Sequence, residues 1–351
     1  MSYIQKPIAQ HPNLPRNQIG LTRRDYEATM STLCAGCGHD SITAAIIEAC
    51  YRLDLPAHRI AKVSGIGCSS KSPTYFLGRS HGFNSVHGRM PSVATGANLA
   101  NKDLTYIGVS GDGDTASIGL GQFCHAVRRQ LNMSYIVMNN GCYGLTKGQF
   151  SATNDKSSPS KKGEPNPFEA IDLCQLAIQL GAGFVARSFS GDKAQLVPLI
   201  EAALTYNGFA FLDVLSPCVT FNNHTTSTKG YEYIRDHYQM LGRLDFVPEM
   251  EEISVDYDEG ATVDVKLHDG GMLRLHKLSE SHDVRDADDA IMAIRKQSAE
   301  GSVATGLLYV DDSEQDLHNV IATTERPLNE VPMSELCPGS KALEGINARL
   351  R

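Results

Sequence analysis

Leu104-Thr105-Tyr106-Ile107-Gly108-Val109-Ser110-Gly111-Asp112-Gly113 reads as an apolar strand that runs into a carboxylate flanked by glycines. Ile118–Leu131 follows with helical spacing of its apolar residues, Ser134–Met138 reads as a second strand, and Asn139-Asn140-Gly141-Cys142 ends it. Strand, helix and strand in this order form a parallel unit, so Asp112 and Asn140, 28 positions apart, fall at neighbouring strand ends. One carboxylate and one amide oxygen are hard donors of the kind Mg²⁺ takes, usually shared with a phosphate. Gly111 and Gly113 let the backbone approach that phosphate, and the helix N-terminus beyond them favours its charge. Either fragment alone reads as an ordinary turn; together on consecutive strands they read as a site.

The same alternation extends on both sides. His39–Leu53 predicts a helix, Arg59–Ser64 a strand and Ser92–Asn101 a helix. Beyond the central unit, Pro167–Gly181 predicts a helix, Gly183–Arg187 a strand, Lys193–Tyr206 a helix and Ala210–Leu215 a strand. The fold class expected is α/β, a mostly parallel sheet flanked by helices, with a small C-terminal appendage. Binding sites in such sheets lie beyond the carboxyl ends of the strands. Residues 1–30, with prolines at 7, 12 and 15, read as an arm, 31–225 as the binding domain, and 226–351 as a region for assembly contacts. Within that last region Ile253–Val265 and Gly271–His276 predict a hairpin, Ala287–Lys296 a helix, and 301 onward little regular structure. The polar stretch 141–167 is long enough to suggest a functional loop.

Of 351 residues, 41% are hydrophobic and 21% charged, as in ordinary globular chains. A net charge of −8, with only paired basic residues such as Arg23-Arg24 and Arg128-Arg129, argues against a nucleic-acid surface. No apolar run approaches the length of a membrane span and no secretory leader is evident, so a cytoplasmic protein without membrane contact is expected. A Gly-x-x-x-x-Gly-Lys-Ser/Thr loop is absent, and Gly65-Ile66-Gly67-Cys68-Ser69-Ser70 lacks the third glycine of a dinucleotide fingerprint.

Nine cysteines are many for a reducing compartment, and an odd number makes a disulfide framework a poor reading. Cys50 and Cys174 lie in apolar helical stretches, as buried cysteines do. Cys34 and Cys37 instead form a C-x-x-C turn, Cys68 follows a strand, and Cys218 follows the last core strand. Four thiolates in turn sequence suit a structural zinc or a [4Fe–4S] cluster, and spacing alone leaves both open.

Gly-Asp-Gly followed just under thirty residues later by Asn-Asn resembles the motif of thiamine-diphosphate enzymes. The fuller set, Cys34-Ala35-Gly36-Cys37-Gly38-His39, Gly67-Cys68-Ser69, His87-Gly88-Arg89 with Ala94-Thr95-Gly96, Tyr143–Gln149 and Cys218, is similar to that of 2-oxoacid:ferredoxin oxidoreductase β subunits over about 31–225. The resemblance implies thiamine diphosphate and Mg²⁺, with Asp112, Asn140 and the backbone carbonyl of Cys142 on the ion. Gly113 and Asp114 would lie on the diphosphate, and Gly67 and His87 would be cofactor contacts. It further implies a [4Fe–4S] cluster on Cys34, Cys37, Cys68 and Cys218, in preference to zinc. An α-type subunit would carry the pyrimidine-binding domain and its activating glutamate, which no residue here is expected to supply. Coenzyme A would take the acyl group and ferredoxin the electrons. Lys71 and Leu145 would shape the substrate pocket for 2-oxoglutarate; a pyruvate or branched-chain enzyme, and a zinc-stabilised non-catalytic subunit, are the alternatives.

Overall fold

The computed structural model describes residues 12–159, 163–222, 227–229, 233–234, 237–242, 262–266, 272–276, 282–311, 313, 315–337 and 339–350. The elements that position the site are α1 (Gly38–Arg52), β1 (Ile60–Ser64), β2 (His81–Asn84), α2 (Met90–Ala100), β3 (Thr105–Gly111), α3 (Leu120–Arg128) and β4 (Met133–Asn139). A two-residue ribbon follows, β5 (Cys142–Tyr143) against β6 (Gln149–Phe150), then α4 (Leu173–Gln179), β7 (Phe184–Phe189), α5 (Lys193–Thr205) and β8 (Phe209–Leu215). Towards the C-terminus come β9 (Tyr238–Gly242), β10 (Thr262–Lys266), β11 (Met272–His276), α6 (Ala287–Ala299) and β12 (Val303–Val310).

Eight strands form one sheet in the order β2-β1-β3-β4-β8-β7-β12-β9. The first six are mutually parallel, and β12 runs antiparallel to β7. Both faces are covered, as a parallel sheet requires. Strand alternation divides the core: Tyr135 and Val137 of β4 and Phe209 and Phe211 of β8 face one layer, with residues of α2, α3, α4 and α6. Ile136 and Met138, with Ala210, Leu212 and Val214, face the other, with α1 and α5. Phe123 of α3 is fully buried, edge-on to Tyr135 at 5.4 Å and to Phe211 at 5.2 Å. Burying one such side chain contributes roughly 1.5–3 kcal/mol, so this aromatic cluster clamps α3 behind the Gly-Asp-Gly turn.

The architecture is the α/β class expected, with local differences. The helix expected from Ile118 is preceded by a wide π-type turn at Gly113–Ile118 that carries the chain away from Asp112. The helix expected from Pro167 starts only at Leu173, where the Asp172 side chain accepts the Gln175 N–H at 2.8 Å and caps it. The edge strand β2 was not foreseen, because all four of its residues are exposed and no alternation marks them. The larger difference lies beyond 301. Val303–Val310 is a core strand, with Leu308 fully buried, and α6 packs Ala290 and Ile294 into the same layer. The sheet therefore does not end at residue 225. The expected hairpin appears as β10 against β11; residues 253–261 and 267–271 lie outside the described residues.

Candidate active site

The carboxyl ends of β1, β3 and β4 open onto a cavity of about 340 Å³. Gly67, Cys68, His87, Asp112, Gly113, Asp114, Asn140, Cys142 and Leu145 all line it, from four separate stretches of chain. Lys71 does not. It sits in the turn after Cys68, where its N–H donates to the Cys68 carbonyl at 3.2 Å and its own carbonyl accepts from Thr74 at 2.6 Å.

Asp112 is 1% exposed. Its Oδ1 accepts the Asn140 N–H at 3.3 Å, and its Oδ2 accepts Thr153 Oγ1 at 2.7 Å and Ser151 Oγ. Burial pushes its pKa up against these donors, and among the described residues it meets no cationic side chain. A buried carboxylate held only by neutral donors lacks a counter-charge. Asn140 and Cys142 line the same cavity as Asp112, and the Asn140 Oδ1 accepts the Cys142 N–H at 3.1 Å. This oxygen set fits a hard divalent cation shared with phosphate. Gly141 holds the turn in the left-handed region at φ +71°, and a side chain there would meet Asn222 Nδ2, which donates to the Asn140 carbonyl at 2.7 Å.

Asp114 has another task. Its Oδ1 accepts the Gly88 N–H at 2.7 Å, and its Oδ2 accepts Ser110 Oγ at 3.0 Å and the Ile66 N–H at 3.3 Å. The carboxylate thus ties together the ends of β1 and β3 and the turn before α2. Gly113 is covered by the Tyr143 ring, whose hydroxyl donates to the Gly113 carbonyl at 3.0 Å. His39 also lines the cavity, its Nδ1 2.6 Å from Ser216 Oγ. Complete burial lowers its pKa to about 4, so it is neutral at physiological pH.

The C-x-x-C turn closes with the Cys37 N–H on the Cys34 carbonyl at 3.0 Å, Gly36 at φ +80°. The Gly38 N–H reaches the Pro217 carbonyl at 3.4 Å, seating the turn on the segment that carries Cys218. A Cβ on Gly144 would lie 3.6 Å from the sulfurs of both Cys68 and Cys218. Thr220 Oγ1 is 4.0 Å from the Cys34 sulfur. The four thiols therefore share one neighbourhood beside the cavity, although among the described residues no three metal-binding side chains converge for a single ion. A set of thiols is the donor chemistry of soft metals and iron–sulfur clusters. Cys142 adds a fifth sulfur: its interaction with Cys218 pulls the Cys218 thiol down to about 6 and, with burial, pushes the Cys142 thiol up.

Ser151 and Thr153 went unnoticed as separate residues, since only the length of their loop signalled function. The same holds for the chain behind Asn139. That amide donates to Asp213 at 2.9 Å, Asp213 accepts Arg187 Nε at 3.0 Å, and Arg187 forks onto Asp172 at 2.8 and 2.9 Å.

Residues 65–214 match the family described as thiamine pyrophosphate enzyme, C-terminal TPP binding domain. Over 221 residues the chain is 38% identical to a 2-oxoacid:ferredoxin oxidoreductase subunit beta from Sulfolobus sp, covering 63% of this chain and 70% of that one. It is 40% identical over 195 residues to the 2-oxoglutarate oxidoreductase subunit KorB of Mycobacterium tuberculosis, 54% of this chain and 51% of that one. The solved 2-oxoglutarate:ferredoxin oxidoreductase from Magnetococcus marinus, with 2-oxoglutarate, coenzyme A and succinyl-CoA bound, superposes with a TM-score of 0.69 at 30% identity, over 86% of this chain and 89% of that one. Fold, strand-end chemistry and these likenesses agree: the chain belongs to the β subunits of the 2-oxoacid:ferredoxin oxidoreductases, a family of thiamine-diphosphate-binding enzymes.

Proposed function

We propose that the chain is the β half of a 2-oxoglutarate:ferredoxin oxidoreductase, acting with an α-type subunit, coenzyme A and ferredoxin in the cytoplasm. Among the described residues no helix is long and apolar enough to cross a membrane. The observation that carries the reading is Asp112, a buried carboxylate without a cation partner among the described residues, lining the same cavity as Asn140, Cys142 and Cys68.

In this reading Asp112, Asn140 and the Cys142 carbonyl hold Mg²⁺, and Gly111 and Gly113 admit the diphosphate. Thiamine diphosphate supplies the electron sink for loss of CO₂ from a 2-oxoacid. The protein's share is orientation. Ser151 and Thr153 aim Asp112, Asp114 fixes the loops on either side, and neutral His39 offers a ring nitrogen without adding charge. Gly67 and His87, on the cavity wall, are the remaining cofactor contacts. Cys34, Cys37, Cys68 and Cys218 are the ligands of a [4Fe–4S] cluster. A cluster held by these thiols would supply one-electron chemistry beside the cavity, in the oxidative direction or in reductive carboxylation.

The choice of 2-oxoglutarate is supported by the named relatives. Leu145 shapes the cavity mouth, and Lys71 is the candidate partner for the distal carboxylate, reaching it only by extending past the Cys68 turn. The test is coenzyme-A-dependent ferredoxin reduction by the complex purified without oxygen, comparing 2-oxoglutarate with pyruvate and a branched-chain 2-oxoacid. Turnover with 2-oxoglutarate tenfold or more above the others is expected, and equal turnover with pyruvate refutes the substrate. Iron and sulfide analysis of the same sample, expected at four of each per β chain, separates the cluster from zinc.

A further inference from the structure

The loop that brings Ser151 and Thr153 onto Asp112 has little regular structure of its own, only the short β5–β6 ribbon before it. Side chains fix it instead. Asn154 Nδ2 donates to the Gly141 carbonyl at 2.8 Å, and the Asp155 carbonyl accepts the Ser158 N–H at 3.1 Å and Asn166 Nδ2 at 3.3 Å. The Asp155 carboxylate has other partners. It accepts the Thr228 N–H at 2.9 Å, Thr228 Oγ1 at 2.7 Å and Lys229 Nζ at 2.7 Å, so two consecutive residues close three donors on one side chain. Lys229 is 7% exposed, and a lysine is seldom buried so far unless it is paired. Thr153, Asp155, Thr228 and Lys229 together line a second cavity, of about 170 Å³, behind the loop. Nothing in the reading above uses this clasp, and it lies beyond residue 225, where the sequence suggests only assembly contacts.

Resting on the assignment of Asp112 as a Mg²⁺ ligand, we infer that Asp155 and Lys229 are positioning residues for the cofactor: their clasp holds Thr153 and Ser151 on Asp112, so that loading of the Mg²⁺ site and closure of the clasp favour each other. The reason is geometric. Asp155 is two positions from Thr153, and release of its carboxylate frees the stretch of backbone that sets Thr153 Oγ1. That hydroxyl lies 2.7 Å from Asp112, a distance that tolerates little displacement before the hydrogen bond is lost. The clasp is strong enough to impose the position. Its three donors meet a charged acceptor, and the Lys229 and Asp155 side chains are only 9% and 18% exposed, so salt screens them little. Coupling of this kind is reciprocal: the factor by which the closed clasp tightens Mg²⁺ binding is the factor by which bound Mg²⁺ tightens the clasp.

The experiment takes the complex with its α-type subunit, freed of cofactors, and titrates Mg²⁺ at a fixed excess of thiamine diphosphate, read by cofactor-induced circular dichroism. Lys229→Met and Asp155→Asn should each weaken Mg²⁺ binding about fivefold, the lower end of coupling between sites. The double variant should bind no more weakly than the weaker single variant, because both substitutions break one contact. A second measurement needs no variant. Hydrogen exchange at the Thr228 amide, which donates to Asp155, should slow about fivefold or more when the unmodified complex is loaded with Mg²⁺ and thiamine diphosphate. A clasp that only stabilises the fold would lower the unfolding temperature of the variants and leave both readings unmoved. Unchanged Mg²⁺ affinity in the variants, or exchange at Thr228 that ignores loading, therefore overturns the proposal alone, and the exchange reading decides if a variant fails to fold. An unmodified complex that takes up thiamine diphosphate without any dependence on Mg²⁺ overturns the Asp112 assignment and the proposal together.

Discussion

The side-chain amide of Asn139 donates to the Asp213 carboxylate across 2.9 Å, binding the end of β4 to its neighbour β8. Its Oδ1 faces the other way, 3.0 Å from Thr153 Oγ1, which donates to Asp112 at 2.7 Å. A hydroxyl has one proton, and the shorter contact to the carboxylate takes it. The two asparagines at the end of β4 therefore divide the work: Asn139 braces the sheet and the loop, while Asn140 faces the cavity.

Thr153→Val keeps the shape and removes that proton from Asp112. A hydrogen bond to a charged group is worth roughly 1.5–3 kcal/mol, part of which Ser151 can make up. Mg²⁺ should bind about tenfold more weakly in the presence of thiamine diphosphate, with little change in unfolding temperature. A Mg²⁺ titration read by cofactor-induced circular dichroism checks this, and unchanged affinity would remove Thr153 from the site.

How much of this was legible follows from distance along the chain. Asp112 and Asn140 could be paired because one helix separates their strands and the parallel connection fixes their ends together. Ser151 and Thr153 could not, because a loop without periodicity does not say which of its hydroxyls turns inward. Strand β12 was missed for a related reason. Its antiparallel partner β7 lies more than a hundred residues earlier, and a short apolar run after a polar stretch carries no sign of which edge it will join. Lys71 is a different case: three positions from Cys68 its charge suggests a pocket, and the helical turn Ser69–Thr74 sets it behind the cavity lining, so its reach depends on the length of its side chain.

Arg187 sits 6% exposed between Asp213 and Asp172. Burial would raise the Asp172 pKa, but the guanidinium outweighs it and holds the carboxyl below its ordinary range. Arg187→Met would leave two carboxylates without their cation, a loss of about 3–5 kcal/mol by analogy with other broken buried pairs. The unfolding midpoint should fall accordingly at pH 7, and less at pH 4, where a carboxylate freed of its partner can take up a proton. Arg187→Lys should recover only part, since a single ammonium cannot reproduce the fork.

Glu201 in α5 is 4% exposed, and among the described residues its Oε1 has no hydrogen-bond partner, Arg52 Nε lying 3.7 Å away. Burial raises its pKa from 4.5 to about 7, with Arg52 opposing. The folded chain therefore holds this proton more tightly than the unfolded chain does. Its contribution to stability is complete below about pH 4.5 and is lost as pH rises through about 7. Glu201→Gln should stabilise the complex at pH 8 by about 1–2 kcal/mol, allowing for the exposed partner, and by nothing at pH 4.5. Thermal unfolding at the two pH values reads the difference, and a gain equal at both would exclude Glu201 as its source.

Gly65 tests whether Asp114 acts as a tie. A Cβ there would stand 1.9 Å from Asp114 Oδ2, so Gly65→Ala must push the carboxylate off Ser110 and the Ile66 N–H. We expect a loss of about 2–4 kcal/mol and weaker cofactor binding, because the β1 and β3 ends that frame the cavity would part. Gly121→Ala, where nothing lies within 4 Å in the exposed first turn of α3, should be neutral or slightly stabilising. The steric account makes a sharper demand. In an Asp114→Ala background the space is already free, so adding Gly65→Ala should cost almost nothing more, and the double-mutant cycle should show a coupling close to the whole single-mutant effect. Additive losses would mean that Gly65 is needed for its backbone and not for the room it leaves to Asp114.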